Sequence, residues 1–225
     1  MVILSAQNVV KQFGTSRPVV NGVDVEIRDG EYVSIIGRSG SGKSTLLRLL
    51  CGLEPADNGR IVVDGHDLGL LRGKELSLFR STVIGVVFQD NNLIQDFSVR
   101  DNILTPMYIS RRKVDDAYYQ KLLRLVGLAQ HENKRPCQLS GGMQQRAAIA
   151  RALIAKPKII FADEPTGSLD IKTEDEIIKL FQDINTKLGT TILQVTHSDA
   201  CVRASSRIIT ICDGKIVDER KEGGS

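Results

Sequence analysis

The stretch Gly37-Arg38-Ser39-Gly40-Ser41-Gly42-Lys43-Ser44-Thr45 carries the spacing G-x-x-x-x-G-K-[S/T]. The apolar run Tyr32-Val33-Ser34-Ile35-Ile36 precedes it and the helix-like run Leu46-Leu47-Arg48-Leu49-Leu50 follows. Strand, glycine-rich turn and helix together are the context a phosphate-binding loop needs. Glycines let backbone N–H groups converge on phosphate oxygens, and a helix N-terminus adds a favourable dipole. Lys43 is placed to bridge β- and γ-phosphates, and the Ser44 hydroxyl to ligate Mg²⁺. An accidental glycine turn would not bring all eight motif positions and both flanks with it. The loop points to a nucleotide and says nothing of what its energy drives.

Composition narrows the class. The 225 residues suffice for one sizeable domain or one core with an insertion. With 30 basic against 27 acidic residues, charge gives no reason to expect a nucleic-acid partner. The longest apolar runs, such as Val83-Ile84-Gly85-Val86-Val87-Phe88, are strand-sized, far short of the roughly 20 residues that span a bilayer. Met1-Val2-Ile3-Leu4-Ser5 lacks the basic flank and long apolar core of a secretory signal. Cys51, Cys137, Cys201 and Cys212 form no C-x-x-C pair and read as small, mostly buried hydrophobes in a reducing compartment. A cytoplasmic chain follows, with any membrane connection made through a partner.

Residues 1 to 30 read as β-structure, with apolar and charged residues alternating through Val23-Asp24-Val25-Glu26-Ile27-Arg28. Phe13, before Gly14, is either a ring that stacks on a purine or a core phenylalanine. Residues 55–59 read as a turn, 61–63 as a strand, 68–79 as mixed with a short helix carrying Arg72 and Lys74, and 83–88 as a buried strand ending at Gln89. From residue 92 to about 150 helical spacing takes over, as an insertion into an α/β core. Ser98 is the expected cap of one helix, and Asp115 to Val126 is another, closed by Gly127. Arg111-Arg112-Lys113 reads as a solvated basic face. Leu139-Ser140-Gly141-Gly142 opens a further helix, a second anion-binding geometry. Lys158-Ile159-Ile160-Phe161-Ala162-Asp163-Glu164 is a buried strand ending in two carboxylates. In phosphoryl-transfer ATPases one carboxylate here holds Mg²⁺ and a second orients or deprotonates water. Asp170 caps a helix running to about Leu188, and His197 stands at the end of the strand over 191–196. A hairpin around Asp213-Gly214 ends the pattern, and the tail 222–225 reads as frayed.

Taken together, these residues resemble the ATP-binding-cassette (ABC) ATPase family over essentially the whole chain. The loop at 37–45 is shared by many NTPases; Leu139-Ser140-Gly141-Gly142 resembles the family signature and discriminates. Gln89 matches the glutamine-loop position, Asp163-Glu164 the Walker B carboxylates, Ser168-Leu169-Asp170 the D-loop, His197 the switch histidine, and Phe13 the aromatic that stacks adenine. Met143 departs from the usual glutamine after the signature. The implied fold is an α/β P-loop NTPase. Its RecA-like core spans about 31–90 and 155–225, its N-terminal antiparallel β-subdomain about 1–30 and 60–67, and its inserted α-helical subdomain about 92–150. A finer resemblance, carried by residues 84–89, 93–94, 101–103 and 164–170, is to small cassettes that serve FtsX-like permeases.

What the resemblance implies is concrete. Lys43 and the loop residues Gly37, Arg38, Ser39, Gly40, Ser41, Gly42, Ser44 and Thr45 bind the phosphates of ATP. Ser44, Gln89 and Asp163 hold Mg²⁺, Glu164 is the general base, and His197 contacts the γ-phosphate. Ser140, Gly141 and Gly142 complete the nucleotide site of a second copy, so the working unit is an ATP-dependent homodimer. The partner is an integral membrane permease, met near Gln89 and residues 91–97, which holds the cassette on the inner face of the membrane. Export or detoxification of a peptide, antibiotic or lipid-like substrate is the implied task; the alternative is a cassette that remodels a membrane partner without transport.

Overall fold

The structure, a computed structural model, describes residues 1–15 and 17–221; the expectation for residues 222–225 lies outside them. Its strands sort into two sheets. β1 (Val2–Lys11), β2 (Val20–Arg28), β4 (Asn58–Val63) and β5 (His66–Asp67) form an antiparallel sheet in the order β2-β1-β4-β5. β3 (Tyr32–Ile36), β6 (Ile84–Val87), β7 (Ile159–Asp163), β8 (Thr191–Val195), β9 (Arg207–Cys212) and β10 (Lys215–Lys221) form the second, in the order β10-β9-β3-β8-β7-β6. Within it β9, β3, β8, β7 and β6 run parallel, and β10 closes the edge antiparallel.

The central strands β7 and β8 are buried along their whole length. Strands covered on both faces have no need of polar alternation, which explains Ile159-Ile160-Phe161-Ala162. The pleat then divides this run between two cores. Ile159 and Phe161 face the core shared with the antiparallel sheet and α1 (Lys43–Leu50). Ile160 and Ala162 face the core built with α3 (Val99–Ile109), α4 (Asp116–Leu125), α5 (Gly141–Leu153) and α6 (Ile171–Leu188). The remaining helices are α2 (Gly73–Val83) and α7 (Asp199–Arg203).

Local chemistry sets the helix starts. The side chains of Ser98, Asp115, Ser140, Asp170 and Ser198 each accept a hydrogen bond from the amide three residues on, opening α3, α4, α5, α6 and α7. Gly189 closes α6 in the left-handed region at φ +68°.

Three details differ from the sequence expectation. Val83 ends α2, so the strand that reaches toward Gln89 begins at Ile84. Asn58 and Gly59 belong to β4 instead of a turn. The glycine is there because β4 passes so close to β1 that a Cβ at position 59 would collide with the Asn8 carbonyl oxygen. Of the four free cysteines, Cys51 and Cys201 are buried, whereas Cys137, inside the short 3-10 turn Pro136–Gln138, and Cys212, at the end of β9, are exposed. Among the described residues no helix is long and apolar enough to cross a membrane.

Candidate functional site

In open parallel sheets ligands bind outside the carboxyl ends of the strands, where neighbouring connections diverge. β3 lies between β8 and β9, with β7 beyond β8. The segment after β3 is the loop 37–42, that after β7 begins with Glu164, and that after β8 carries His197. These three segments line one pocket of about 200 Å³, formed by Ser39, Gly40, Gly42, Lys43, Ser44, Thr45, Glu164 and His197 together with Val19.

The loop's glycines meet a steric demand. At Gly37 (φ +155°) a Cβ would strike the Ile211 carbonyl oxygen, and at Gly42 (φ +98°) it would strike that of Val19. Gly42 is also the N-cap of α1 and has no side chain to satisfy the helix's first amides. Those amides are therefore available to an anion. The Ser41 hydroxyl oxygen is buried in the loop without a protein partner. Lys43 is buried, and its Nζ donates to the carbonyl oxygens of Gly37 at 3.0 Å and Arg38 at 2.9 Å. Burial lowers its pKa, opposed by the nearby Glu164 and Asp163 carboxylates. An ammonium stripped of water and held by two neutral carbonyls gains from an arriving phosphate.

Across the pocket the Ser44 hydroxyl donates to Asp163 Oδ1 at 2.8 Å. No group of three or more His, Cys, Asp or Glu able to hold a metal occurs among the described residues. One hydroxyl beside one carboxylate, next to a phosphate cradle, is the donor set Mg²⁺ takes when substrate oxygens and water fill its other positions. Glu164 has φ +49°, the left-handed region, so the chain turns sharply at the end of β7. Its Oε2 accepts from the backbone N–H of His197 at 3.2 Å, and its Oε1 lies 3.4 Å from His197 Nε2.

The other residues singled out in the sequence do not line this pocket. Gln89 is exposed beyond β6, with its amide beside Gly167, where a Cβ would stand 3.2 Å from Gln89 Nε2. Phe13 is 48% exposed in the loop after β1, with Lys11 Nζ 5.3 Å from its ring centroid. Ser140, Gly141 and Gly142 start α5 against the following loop and α6: a Cβ on Gly141 would lie 3.8 Å from Leu169, and one on Gly142 would strike Thr173.

Several supporting residues carry no sequence signal. Val19 roofs the loop, yet it lies in an unremarkable Pro-Val-Val run. Arg151 on α5 donates at 2.6 Å to each of the carbonyls of Asn91 and Asn92, two successive left-handed residues. Asn102, fully buried on α3, accepts from Ile94 N and donates to Ile94 O, Phe97 O and Ser98 O. The segment after Gln89 is thus fastened to α3 and α5. Gln145 Nε2 donates at 2.7 Å to Pro165 O, fastening the segment after Glu164 to α5. A helical arginine or asparagine reads as solvated until the fold shows what lies beneath it.

This constellation, a phosphate cradle at a helix start facing a hydroxyl–carboxylate pair and a strand-end Glu–His pair, defines a nucleoside-triphosphate hydrolase of the P-loop type. Residues 20–167 match the family profile described as "ABC transporter". The chain belongs to the ABC transporter family, and it is an ATP-binding ATPase cassette. It is 41% identical over 228 residues to the bacitracin export ATP-binding protein BceA of Halalkalibacterium halodurans, which covers 99% of this chain and 90% of that one. It is 42% identical over 212 residues to the methionine import ATP-binding protein MetN of Mesorhizobium japonicum, covering 93% of this chain and 58% of that one. A solved structure, the dimeric post-hydrolysis state of the cassette MJ0796 bound to ADP and Pi, superposes with a TM-score of 0.89 at 36% identity, covering 99% of this chain and all of that one.

Proposed function

We propose that this cassette dimerises around two ATP molecules and uses their hydrolysis to drive a separate membrane permease of the FtsX-like type, in export or detoxification. The observation that carries the dimer is the separation within one chain: the pocket is lined by residues 39–45, 164 and 197, and Ser140, Gly141 and Gly142 are not among its walls. A second copy then supplies that helix start to the γ-phosphate. The solved dimer at 36% identity supports this reading, and BceA, by name an export protein, supports the direction. MetN, by name an import protein, is equally similar, so direction rests on the finer sequence resemblance.

The roles proposed are these. The amides of residues 37–45 and Lys43 bind the phosphates, and Phe13 packs on the adenine. Ser44 and Asp163 hold Mg²⁺, joined by Gln89 when its loop closes; the ion would neutralise phosphate charge. Glu164 takes the proton of the attacking water, a contribution of typically ~10²–10⁴ in rate. His197 holds the carboxylate of Glu164 and reaches the γ-phosphate. Gln89 and residues 91–97, where Ile94 and Phe97 are exposed, meet the permease. That contact keeps the cassette at the inner face of the membrane.

The test is the ATP-dependent dimer. Glu164→Gln should elute as a dimer with ATP on size-exclusion chromatography, and Glu164→Gln with Ser140→Arg should elute as a monomer. A dimer in the double variant would overturn the shared site.

A further inference from the structure

Gln194 sits in β8 between Leu193 and Val195, a polar side chain inside a strand that is buried along its length. It is fully buried and its hydrogen bonds are made. Oε1 accepts from the Tyr32 hydroxyl at 3.1 Å, and Nε2 donates to Ser34 Oγ at 2.9 Å and to the Cys201 carbonyl oxygen at 3.1 Å. An apolar residue would fill this position without needing partners. What the amide adds is direction, since it ties α7 to β3 across the sheet.

Cys201 is itself a junction. It is buried, and its amide donates to Ser198 Oγ at 3.3 Å, which caps α7 one residue after His197. Its Sγ lies 3.4 Å from Thr166 Oγ1. The Thr166 hydroxyl donates to Glu174 Oε1 at 3.1 Å, which leaves the thiol as the donor in the sulfur contact. Burial raises the thiol's pKa and keeps it protonated for that task. Thr166 follows Glu164 by two residues. The loops carrying Glu164 and His197 are thus joined twice: at the surface by their own contact, and beneath it by Thr166 and Cys201 on a platform fixed by Gln194.

We propose that Gln194, Cys201 and Thr166 are positioning residues for hydrolysis, which hold α7 on the sheet and so hold His197 against Glu164. This rests on Glu164 and His197 acting in hydrolysis as proposed above. None of the three lines the nucleotide pocket, so their loss should affect turnover and spare ATP binding.

The test replaces the cluster as a unit. Tyr32→Phe, Ser34→Ala and Gln194→Met together remove the hydroxyls along with the amide, so that no side-chain donor is left stranded. Thr166→Val cuts the second link separately. For each variant the melting temperature, the affinity for a fluorescent ATP analogue and the steady-state ATPase rate are measured, with Glu164→Gln in the same assay. A misplacement of about 1 Å can cost about 10² in rate, so kcat should fall roughly ten- to a hundredfold while ATP affinity stays within about twofold. Unchanged kcat in a folded triple variant and in Thr166→Val, with Glu164→Gln inactive, would overturn the proposal. So would a parallel loss of kcat and ATP affinity, the mark of simple loosening. If the triple variant does not fold, Thr166→Val decides on the same criteria. Wild-type turnover by Glu164→Gln would instead overturn the base assignment on which the proposal rests.

Discussion

Both carboxylate oxygens of Glu164 face one residue, His197: Oε2 accepts from its backbone N–H at 3.2 Å, and Oε1 lies 3.4 Å from its Nε2. The two come from neighbouring strands and meet at the mouth of the pocket that Lys43 and Ser44 enclose. A carboxylate fixed in this way faces incoming water in one orientation. Glu164→Gln keeps the shape and removes the basicity, so kcat should fall by at least about 10² while ATP still binds. His197→Ala should also lose turnover, because it removes the ring contact and leaves the backbone one. Phosphate release and nucleotide titration on the same samples check both expectations. An Ala variant as active as wild type would separate His197 from the reaction.

Ser44, which lines this pocket, donates its hydroxyl to Asp163 Oδ1 at 2.8 Å. Ser44→Ala should leave Asp163 without that donor and raise the Mg²⁺ concentration needed for half-maximal ATPase activity by about tenfold or more, as loss of one ligand weakens a cation that keeps few protein ligands. Chelation with EDTA should abolish hydrolysis in the wild type. A magnesium titration of the ATPase rate reads both, and an unchanged midpoint for Ser44→Ala would exclude the serine as a ligand.

Arg151 bridges two adjacent carbonyls, which a lysine's single ammonium cannot do with the same geometry. Arg151→Lys should therefore destabilise the chain by about 1.5–3 kcal/mol, the range for hydrogen bonds to charged groups, read as a lower urea midpoint. Residues 89–98 should also become the first site of limited proteolysis. Equal stability of the two proteins would show that the carbonyls of Asn91 and Asn92 are satisfied otherwise.

The Asp170 cap gives a pH dependence of known sign. Donation from the Thr173 hydroxyl, then from the Thr173 amide, holds its carboxyl below the ordinary 3.8. The stabilisation is therefore present above pH 3.8 and is lost as pH falls through the lower folded value. Asp170→Ser keeps a cap without the titration. Thermal melts between pH 5 and pH 2.5, a window of roughly one to two units around that value, should show a shallower decline for the variant than for the wild type. Parallel curves would place the acid sensitivity elsewhere.

The amino-acid sequence alone determines what is local. The cradle of residues 37–45 is legible because strand, turn and helix start are contiguous and the glycines are required by backbone approach at Gly37 and Gly42. Helix starts at Ser98, Asp115, Ser140 and Asp170 are legible for the same reason: cap and amide lie three residues apart. Gly59 shows the limit, since its neighbour is the Asn8 carbonyl on another strand and only the turn-like composition is visible in the sequence. What the tertiary structure decided is every contact across the chain. Ser44 meets Asp163 from 119 positions away, and Gln194 meets Tyr32 from 162. Arg151 and Gln145 turn from helix-surface residues into loop anchors. Parallel strand order does this work: β3, β8 and β7 are distant in sequence but adjacent in the sheet, so their carboxyl ends deliver a lysine, a histidine and two carboxylates to one edge.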